Sequence, residues 1–200
     1  MKRALISVYD KTGIVSFAKE LNKHGFTIIS TEGTLKTLQE GGVNSIKPVS
    51  EVTAFPELLE GRIKTEHPKL IGGILAVRDK KEHMKDLEIF GIEVVDLVVC
   101  NLYPFEKVPE QGADLKNALE YIDIGGPNMI RAAAKNFESV VVVVNPRRYS
   151  QVLREFKENG DVIAETRKVL AVEAFKETAR YDAAIYRFLE KALLSKAAHS

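Results

Sequence analysis

Residues 122–136, IDIGGPNMIRAAAKN, carry one acid, two bases and an adjacent pair of glycines, a set that suits proton-transfer chemistry. The glycines at 125–126 have no side chain, so their N–H groups can approach a ligand as the donors of an oxyanion hole do. Arg131 and Lys135 are four residues apart and share one face of a helix. A buried Lys135 facing Asp123 would form a proton-transfer pair, because burial moves the pKa of a lysine toward neutrality and a carboxylate opposes that shift. The alternative is a small-residue helix capped by Asp123 with both bases in solvent, and the residues alone leave the choice open.

The start of this helix is predicted from Pro127. Proline suits the first helical position, where its missing N–H costs nothing. The two glycines before it predict a sharp turn into the helix, and the small residues 132–134 allow close packing.

Three other segments place polar groups where a ligand can bind. STEGT (30–34) offers hydroxyls and a glycine before a helix, which suits a phosphate, although an ordinary Ser/Thr helix cap is the favoured alternative. GRIKTEHPK (61–69) is a basic loop set between apolar segments, for which an ordinary solvated loop is the alternative. Its single His67 has no second ligand at metal spacing, so no metal is predicted. In NLYPF (101–105), Tyr103 either fills the core or donates to a substrate oxygen.

Strands and helices in alternation must position these segments. Strands are predicted at 3–9, 26–30, 43–49, 92–100 and 140–144, and helices at 13–24, 34–41, 80–90, 146–158 and 163–193. The strands are apolar on both faces, which is typical of a parallel sheet covered by helices on both sides. Ligands of such sheets bind at the carboxyl ends of the strands, which is where the polar segments fall. No linker or repeat divides the chain, so one domain over 1–200 is predicted, with fraying of the last residues, 195–200.

The composition excludes several classes of protein. The 200 residues are 45% hydrophobic, and 29 basic against 28 acidic residues give a net charge of +1, so no global field favours nucleic acid or an anionic membrane. The single cysteine, Cys100, excludes an internal disulfide and fits a reducing cytosol. The sequence shows neither an 18-residue apolar run nor a signal-peptide core, so a soluble cytoplasmic protein is expected.

Six segments, in this order, resemble the IMP cyclohydrolase domain of the bifunctional AICAR transformylase/IMP cyclohydrolase family. They are SVYDKTG (7–13), STEGT (30–34), GRIKTEHPK with GGILA (61–76), CNLYPF (100–105), IDIGGPNMIRAAAKN (122–136) and AFKETARYDAAI (174–185). The resemblance covers nearly the whole chain. It implies an α/β fold like that of methylglyoxal synthase, with three α/β/α layers around a parallel sheet and additional C-terminal helices.

The resemblance also implies a reaction. The carboxamide nitrogen of 5-formamidoimidazole-4-carboxamide ribonucleotide (FAICAR) attacks its own formyl carbon, and loss of water gives IMP. No cofactor and no metal are implied, and the partners are the nucleotide and a second copy of the chain in a homodimer, with no nucleic acid or membrane. The formyl-transfer domain of the family is expected to be absent.

The resemblance assigns site residues by position. The implied catalytic set is Lys64, Tyr103, Asp123 and Lys135. Implied phosphate contacts are Asp10, Lys11, Thr31, Gly33, Thr34, Lys64 and Thr65, and implied base and carboxamide contacts are Asn101, Asp123 and Ile124. The substrate-binding set is completed by the neighbouring Tyr9, Glu32, Arg62, Ile63, Cys100, Gly125 and Gly126.

Four positions depart from the family pattern. Tyr9 stands where serine is usual, Glu32 where glycine is usual, Glu66 where leucine is common and Ile71 where histidine is frequent. The two additional acids are expected to weaken phosphate binding unless they point outward or pair with Lys11 or Lys69.

Two other functions remain open at this point. A regulatory module of the same fold would bind a nucleotide without converting it, and would need the phosphate turn but not Tyr103 or Asp123. A methylglyoxal synthase acting on a triose phosphate is less consistent with the NLYPF and DIGGP segments. Conversion of the formamido ribotide, followed by its ultraviolet change, separates the three.

Overall fold

The computed structural model describes residues 1–110 and 114–194, so the residues predicted to fray, 195–200, lie outside it. Five strands form one parallel sheet in the order β3-β2-β1-β4-β5. The strands are β1 (Lys2–Val8), β2 (Phe26–Ser30), β3 (Ile46–Pro48), β4 (Leu97–Asn101) and β5 (Val141–Val143).

Helices connect and cover these strands. They are α1 (Ile14–Lys23), α2 (Glu32–Glu40), α3 (Val49–Thr53), α4 (Pro68–Leu75), α5 (Lys81–Ile89), α6 (Lys107–Glu110), α7 (Leu115–Glu120), α8 (Gly125–Lys135), α9 (Tyr149–Asn159) and α10 (Ala164–Leu189). Short 3₁₀ turns occur at Leu59–Gly61 and Pro146–Arg148, and one π-helical turn, Glu190–Leu194, follows α10.

The strand order reverses next to β1. From β1 the chain moves outward through β2 to β3, and it then returns to place β4 on the other side of β1, with β5 beyond it. Ser7 pairs with Cys100 and Val8 with Asn101, so the carboxyl ends of β1 and β4 lie side by side. A crevice opens where two strands send their connections in opposite directions, and this is the usual ligand site of such sheets.

Helices cover both faces of the sheet, as the sequence predicts. Helix α1 contacts both α2 and α9, and α1 and α2 pack beside β1–β3. Helix α8 packs on β4 and β5, with α4 and α10 against it. Right-handed connections place these two groups on opposite faces. The central strands are therefore buried on both sides: Leu97, Val98 and Val99 are at most 1% exposed.

Several predicted boundaries are wrong. The strand predicted from residue 92 begins only at Leu97. Before it, the Ile92 N–H bonds to Leu87 O and the Val95 N–H to Gly73 O, both on helices, and the first bond to the sheet is that of the Asp96 N–H to Arg3 O in β1. The segment 61–69 is not all loop, since α4 begins at Pro68. The His67 ring accepts from the Lys69 N–H at 3.2 Å at the start of this helix.

The glycine pair of α8 serves a different purpose from the predicted turn. α8 begins at Gly125, so Pro127 is its third residue and not its first. Both glycines have ordinary helical conformations and are required by close packing. A Cβ on Gly125 would lie 2.2 Å from Thr65 Oγ1, and one on Gly126 would lie 2.2 Å from Asp123 Oδ2.

Candidate functional site

A cleft of two adjoining cavities lies at the carboxyl ends of β1 and β4. The smaller, of about 400 Å³, is bounded by the residues after β1 and by the first turn of α2. The larger, of about 810 Å³, lies between the 60–66 segment, α7 and the start of α8. Four side chains, Tyr9, Lys64, Tyr103 and Asp123, line both cavities. These volumes are in the range of small-molecule sites, roughly 300–1,000 Å³, so one ligand can contact both.

Asn101 joins the two loops that form the base of the smaller cavity. Its side-chain Oδ1 accepts from the Asp10 N–H at 2.7 Å, and its Nδ2 donates to Asp10 O at 3.1 Å. The Asp10 carboxylate in turn accepts from the Thr12 N–H at 2.9 Å. Hydrogen bonds from Thr12 and the nearby Lys11 hold the pKa of Asp10 below its usual value, against a small opposing effect of burial. Both polar atoms of the Asn101 side chain are therefore hydrogen-bonded within the protein, although the residue also lines the cavity.

The hydroxyls predicted to contact phosphate are engaged with β1. Ser30 Oγ donates to Ile6 O at 2.8 Å, Thr31 Oγ1 lies 2.9 Å from Ser7 Oγ, and Thr34 Oγ1 accepts from the Val8 N–H at 3.1 Å. These bonds fix the first turn of α2 against the end of β1. What faces the cavity is the amino end of α2 at Glu32–Gly33, where the first N–H groups have no acceptor within the helix and attract an anion.

Charged side chains of both signs surround the smaller cavity. Lys11 and Lys64 line it together with three acids, Glu32, Glu57 and Asp123. Burial lowers the pKa of Lys11, and the charge of Asp10 opposes that shift. Glu32 therefore does lie beside the predicted phosphate site, whereas Glu66 lies in the larger cavity.

Asp123 caps the helix whose N–H groups were expected to be free. Its Oδ1 accepts from the Gly126 N–H at 2.9 Å, so that donor is not available as an oxyanion hole in this arrangement. Burial raises the pKa of the Asp123 carboxyl, the Gly126 N–H and the Lys64 amine oppose the shift, and Glu66 adds to it. A carboxyl in this position can hold or accept a proton closer to neutral pH than an exposed one.

Sequence reasoning missed the support behind Asp123. The hydroxyl of Tyr181, on α10, accepts from the Asp123 N–H at 2.8 Å and donates to Tyr121 O at 3.2 Å. Tyr181 is 1% exposed, and burial raises its pKa to about 12. Tyr181 lies in the AFKETARYDAAI segment (174–185), which the sequence analysis matched to the family. That match did not assign a role to any residue of the segment.

Three tyrosines form one wall of the cleft. The Tyr103 ring contacts the Tyr9 ring edge to face at a centroid distance of 4.7 Å, and it lies 5.3 Å from the Tyr121 ring. Tyr103 is partly buried among them, and its ring packs on its neighbours and also lines the cavities. Donation by its hydroxyl to a substrate oxygen stays a prediction.

The 61–66 segment forms the opposite wall. Arg62 makes an ion pair with Glu120 across the edge of the larger cavity, and Ile63 bridges to Leu58 at the surface. Thr65 is 1% exposed, and its Oγ1 has no hydrogen-bond partner within the part of the chain described. The Glu66 carboxylate accepts from the N–H groups of Lys64 and Thr65, at 2.9 and 3.0 Å.

Lys135 is not in the cleft, so the predicted pair with Asp123 is wrong within one chain. The 11 residues of α8 separate the two, and at 1.5 Å per residue the ends of the helix are about 15 Å apart. Lys135 is exposed and lines a third cavity of about 820 Å³ between α8 and α10. Arg131 lines the same cavity, as expected for two bases on one helix face.

The remaining predicted residues divide into those at the cavities and those near them. The cavities are lined by Tyr9, Lys11, Thr31, Glu32, Gly33, Thr34, Arg62, Lys64, Asn101, Tyr103, Asp123, Ile124 and Gly125. Asp10 and Ile63 are exposed beside the cleft, and Thr65 and Gly126 are buried behind its wall. Cys100 is corrected to a core residue: it is 1% exposed, and its thiol points toward Gly126 O at 3.9 Å.

Among 1–110 and 114–194, no group of three His, Cys, Asp or Glu side chains is arranged to hold a metal ion. In the same residues, none of the helices combines the length and the apolar character needed to cross a bilayer.

Comparison with known proteins identifies the family. A family model described as "MGS-like domain" matches residues 13–128, and a second, described as "AICARFT/IMPCHase bienzyme", matches residues 133–200. The chain belongs to the MGS-like domain family. The crystal structure of ForH covers 96% of this MGS-like chain at a TM-score of 0.86 and 32% identity, with 99% of ForH matched.

Curated relatives of this MGS-like chain carry one shared name. The bifunctional purine biosynthesis protein PurH of Persephonella marina is 53% identical over 190 residues, 95% of this chain and 37% of the relative. PurH of Thermoanaerobacter sp. is 53% identical over 189 residues, 94% of this chain and again 37% of the relative. The chain thus spans little more than a third of these relatives. The family and the three-layer fold implied by the sequence motifs are confirmed.

Proposed function

We propose that this protein is an IMP cyclohydrolase that closes the second ring of FAICAR with loss of water. The observation that carries this proposal is that Lys64, Tyr103 and Asp123 line both cavities of one cleft. A ribotide with its phosphate at the amino end of α2 would then place its imidazole among these three groups. The names of the PurH relatives and of the matching bienzyme family support the same activity.

The chemistry assigns a role to each group. The reaction is intramolecular, so holding the carboxamide and formyl arms in one conformer supplies much of the acceleration. Asp123, whose pKa is raised by burial, accepts the proton that leaves the carboxamide nitrogen as it bonds to the formyl carbon. The Tyr103 hydroxyl stabilises the developing charge on the formyl oxygen. That oxygen leaves as water after it has taken up two protons, one returned by Asp123 and one donated by Lys64. As the C–O bond breaks, the formamide nitrogen releases its N–H proton, which restores the Lys64 ammonium.

The phosphate is expected in the smaller cavity. The amino end of α2 offers N–H groups there, and Lys11 and Lys64 supply positive charge. Ser7 and Thr31, bonded to each other at 2.9 Å, hold this turn in place without a ligand, so little reorganisation accompanies binding.

A direct assay tests the proposal. The protein is mixed with the formamido ribotide, and purine formation is followed by ultraviolet absorbance under single-turnover conditions. Asp123→Asn and Tyr103→Phe should each slow ring closure about 100-fold or more. Lys69→Ala serves as the control for Lys64→Ala, because Lys69 lies on α4 outside both cavities. IMP binding without any conversion would reject the enzyme in favour of a nucleotide-binding regulatory module.

We also propose that the protein is a homodimer in the cytoplasm and that it pairs through the α8–α10 face. Val172 is 70% exposed and Phe175 41%, and both line the 820 Å³ cavity that Lys135 also lines. Val169, on the same helix, is 50% exposed. Exposed apolar groups in this density mark an interface. Val172→Glu should give a monomer by light scattering, while Ile89→Glu, on α5 and 62% exposed, should leave the dimer intact.

Lys135 belongs to the proposed catalytic set only as a contribution from a second subunit. Its amine lies on the proposed dimer face, and α8 separates it from Asp123 of its own chain. Mixing inactive Asp123→Ala with inactive Lys135→Ala subunits tests this arrangement, because a mixed dimer then contains one intact site. Recovery of activity on mixing supports a role for Lys135 across the interface, and no recovery refutes it.

A further inference from the structure

The Glu66 carboxylate lies at the junction of the two elements that carry Lys64 and Asp123. Its Oε2 accepts from the Lys64 N–H at 2.9 Å and from the Thr65 N–H at 3.0 Å. Its Oε1 is directed at α8, where a Cβ on Gly125 would lie 2.6 Å from it. Glu66 therefore bridges the 61–66 segment to the first turn of α8.

Asp123 occupies the other side of the same turn. It accepts from the Gly126 N–H at 2.9 Å, and a Cβ on Gly126 would lie 2.2 Å from its Oδ2. The two carboxylates thus flank adjacent glycines, and both line the larger cavity. Leucine, the residue that the family pattern favours at position 66, can accept no hydrogen bond, so this arrangement is particular to chains with an acid here.

We propose that Glu66 is a positioning residue of the cleft: its carboxylate holds the Lys64–Thr65 backbone against the Gly125–Gly126 turn, so that the Lys64 amine and the Asp123 carboxylate face one ligand. The kinetic consequences rest on the proposed function, whereas the geometry does not.

The charge of Glu66 has a defined effect on Asp123. The ionisable groups that face Asp123 are Lys64 and Glu66 from the 61–66 segment, Cys100 and Tyr103 from β4 and the residues after it, and Tyr181 from α10. Glu66 raises the pKa of Asp123 and Lys64 lowers it, in both cases after the larger effect of burial. Removing the negative charge at position 66 must therefore lower the pKa of Asp123.

Two substitutions separate the charge of Glu66 from its hydrogen bonds. Glu66→Gln keeps an acceptor for the two N–H groups and removes the charge, while Glu66→Leu removes both. Glu88→Gln, at an exposed site on α5, is the matched control. Thermal unfolding and circular dichroism verify that each variant is folded before it is compared.

The first measurement does not depend on activity. The carbon-13 signal of the Asp123 carboxyl, assigned with Asp123→Asn, is titrated by NMR, and the exchange of the Lys64 and Thr65 amides is followed in the same samples. Glu66→Gln should move the Asp123 titration to lower pH and leave both amides protected. Glu66→Leu should also expose both amides to exchange. An Asp123 titration in Glu66→Gln that superimposes on that of the wild type, or protected amides in Glu66→Leu, overturns the proposal.

The second measurement is the pH profile of ring closure. The rate is lost as pH falls through the pKa of Asp123, so the acid limb of kcat/KM should move to lower pH in Glu66→Gln by the same amount as the titration. Glu66→Leu should have a kcat/KM about ten-fold or more below that of Glu66→Gln, because Lys64 is no longer held. Equal values for the two variants count against the positioning role. If the wild-type protein fails to close the ring, the proposed function is refuted but the positioning role of Glu66 is not. The NMR measurements decide that role independently.

Discussion

The hydroxyl of Tyr181 accepts a hydrogen bond from the backbone N–H of Asp123 at 2.8 Å and donates one to the carbonyl of Tyr121 at 3.2 Å. One buried side chain on α10 thus fixes both ends of the short segment that leads into α8. The orientation of the Asp123 carboxylate therefore depends on a residue 58 positions away in the sequence.

Tyr181→Phe tests this dependence. The variant leaves the Asp123 N–H without its acceptor, and an unsatisfied buried donor costs about 1–3 kcal/mol of unfolding free energy. We expect kcat for ring closure to fall about ten-fold with little change in KM, because Asp123 is displaced and the phosphate site is not. Tyr186→Phe is the control on the same helix, since Tyr186 is 60% exposed and bonds to Glu190. Equal kcat values for the two variants would contradict the role given to Tyr181.

Glu32→Gln is expected to strengthen nucleotide binding. Glu32 lines the smaller cavity beside Lys11, Lys64 and Glu57, so its negative charge opposes a phosphate there. Removing one partly solvated like charge should lower the Kd for IMP about two- to five-fold, with the larger effect at low salt. Calorimetric titration measures this change. Glu40→Gln, at the other end of α2, should leave the Kd unchanged, and a weaker affinity in Glu32→Gln would show that the phosphate binds elsewhere.

Gly125→Ala is expected to destabilise the protein. The new methyl group would lie 2.2 Å from Thr65 Oγ1 and 2.6 Å from Glu66 Oε1, so the 61–66 segment must move away from α8. Overpacking of this kind costs about 1–3 kcal/mol, measurable by denaturant unfolding. Gly33→Ala is the contrast, because nothing lies within 4 Å of its added Cβ and its φ is not positive. An unchanged stability for Gly125→Ala would mean that the two walls of the cleft are not in contact.

Asn136→Ala is expected to lower stability without affecting the candidate site, although Asn136 belongs to the same motif as Asp123. The Asn136 amide donates to Ile74 O at 2.7 Å and to Ala76 O at 2.9 Å, and so ties the end of α8 to the end of α4. We expect a loss of about 1–3 kcal/mol in unfolding free energy, because two buried carbonyls lose their donor. The IMP affinity should stay within about two-fold of the wild type, since Asn136 lies at the end of α8 away from the cleft. Asn159→Ala, at an exposed site on α9, provides the baseline.

The sequence predicts the sheet well because its strands are buried on both faces. The run 140–144 has few alternatives to a strand covered on both faces, and it forms β5 at one edge of the sheet. The bounds of β2 are the predicted ones. The start of β4 is predicted five residues too early, because residues 92–95 are apolar except for Glu93, but the N–H groups of Ile92 and Val95 bond to α5 and α4. Apolar character shows that a segment is buried, but it does not show which neighbour accepts its hydrogen bonds.

In the candidate site, too, the sequence predicts some positions correctly and others not. Residues that come directly after a strand, such as Lys11 and Tyr103, are found at the cleft because the topology brings strand ends together. Lys135 was misplaced because membership of one motif does not place two residues within reach of each other when a straight helix separates them. Tyr181 could not be assigned from spacing, because its partner lies on a distant part of the chain.

The strand β5 has a consequence for how the chain can be divided. It pairs with β4 from Val141 to Val143, yet it follows α8, and the two family matches meet inside that helix, between residues 128 and 133. A fragment that ended there would leave the apolar edge of β4 open to the backbone of another molecule, which is a route to aggregation. The two matched stretches are therefore expected to be expressed, and to have been inherited, as one indivisible folding unit.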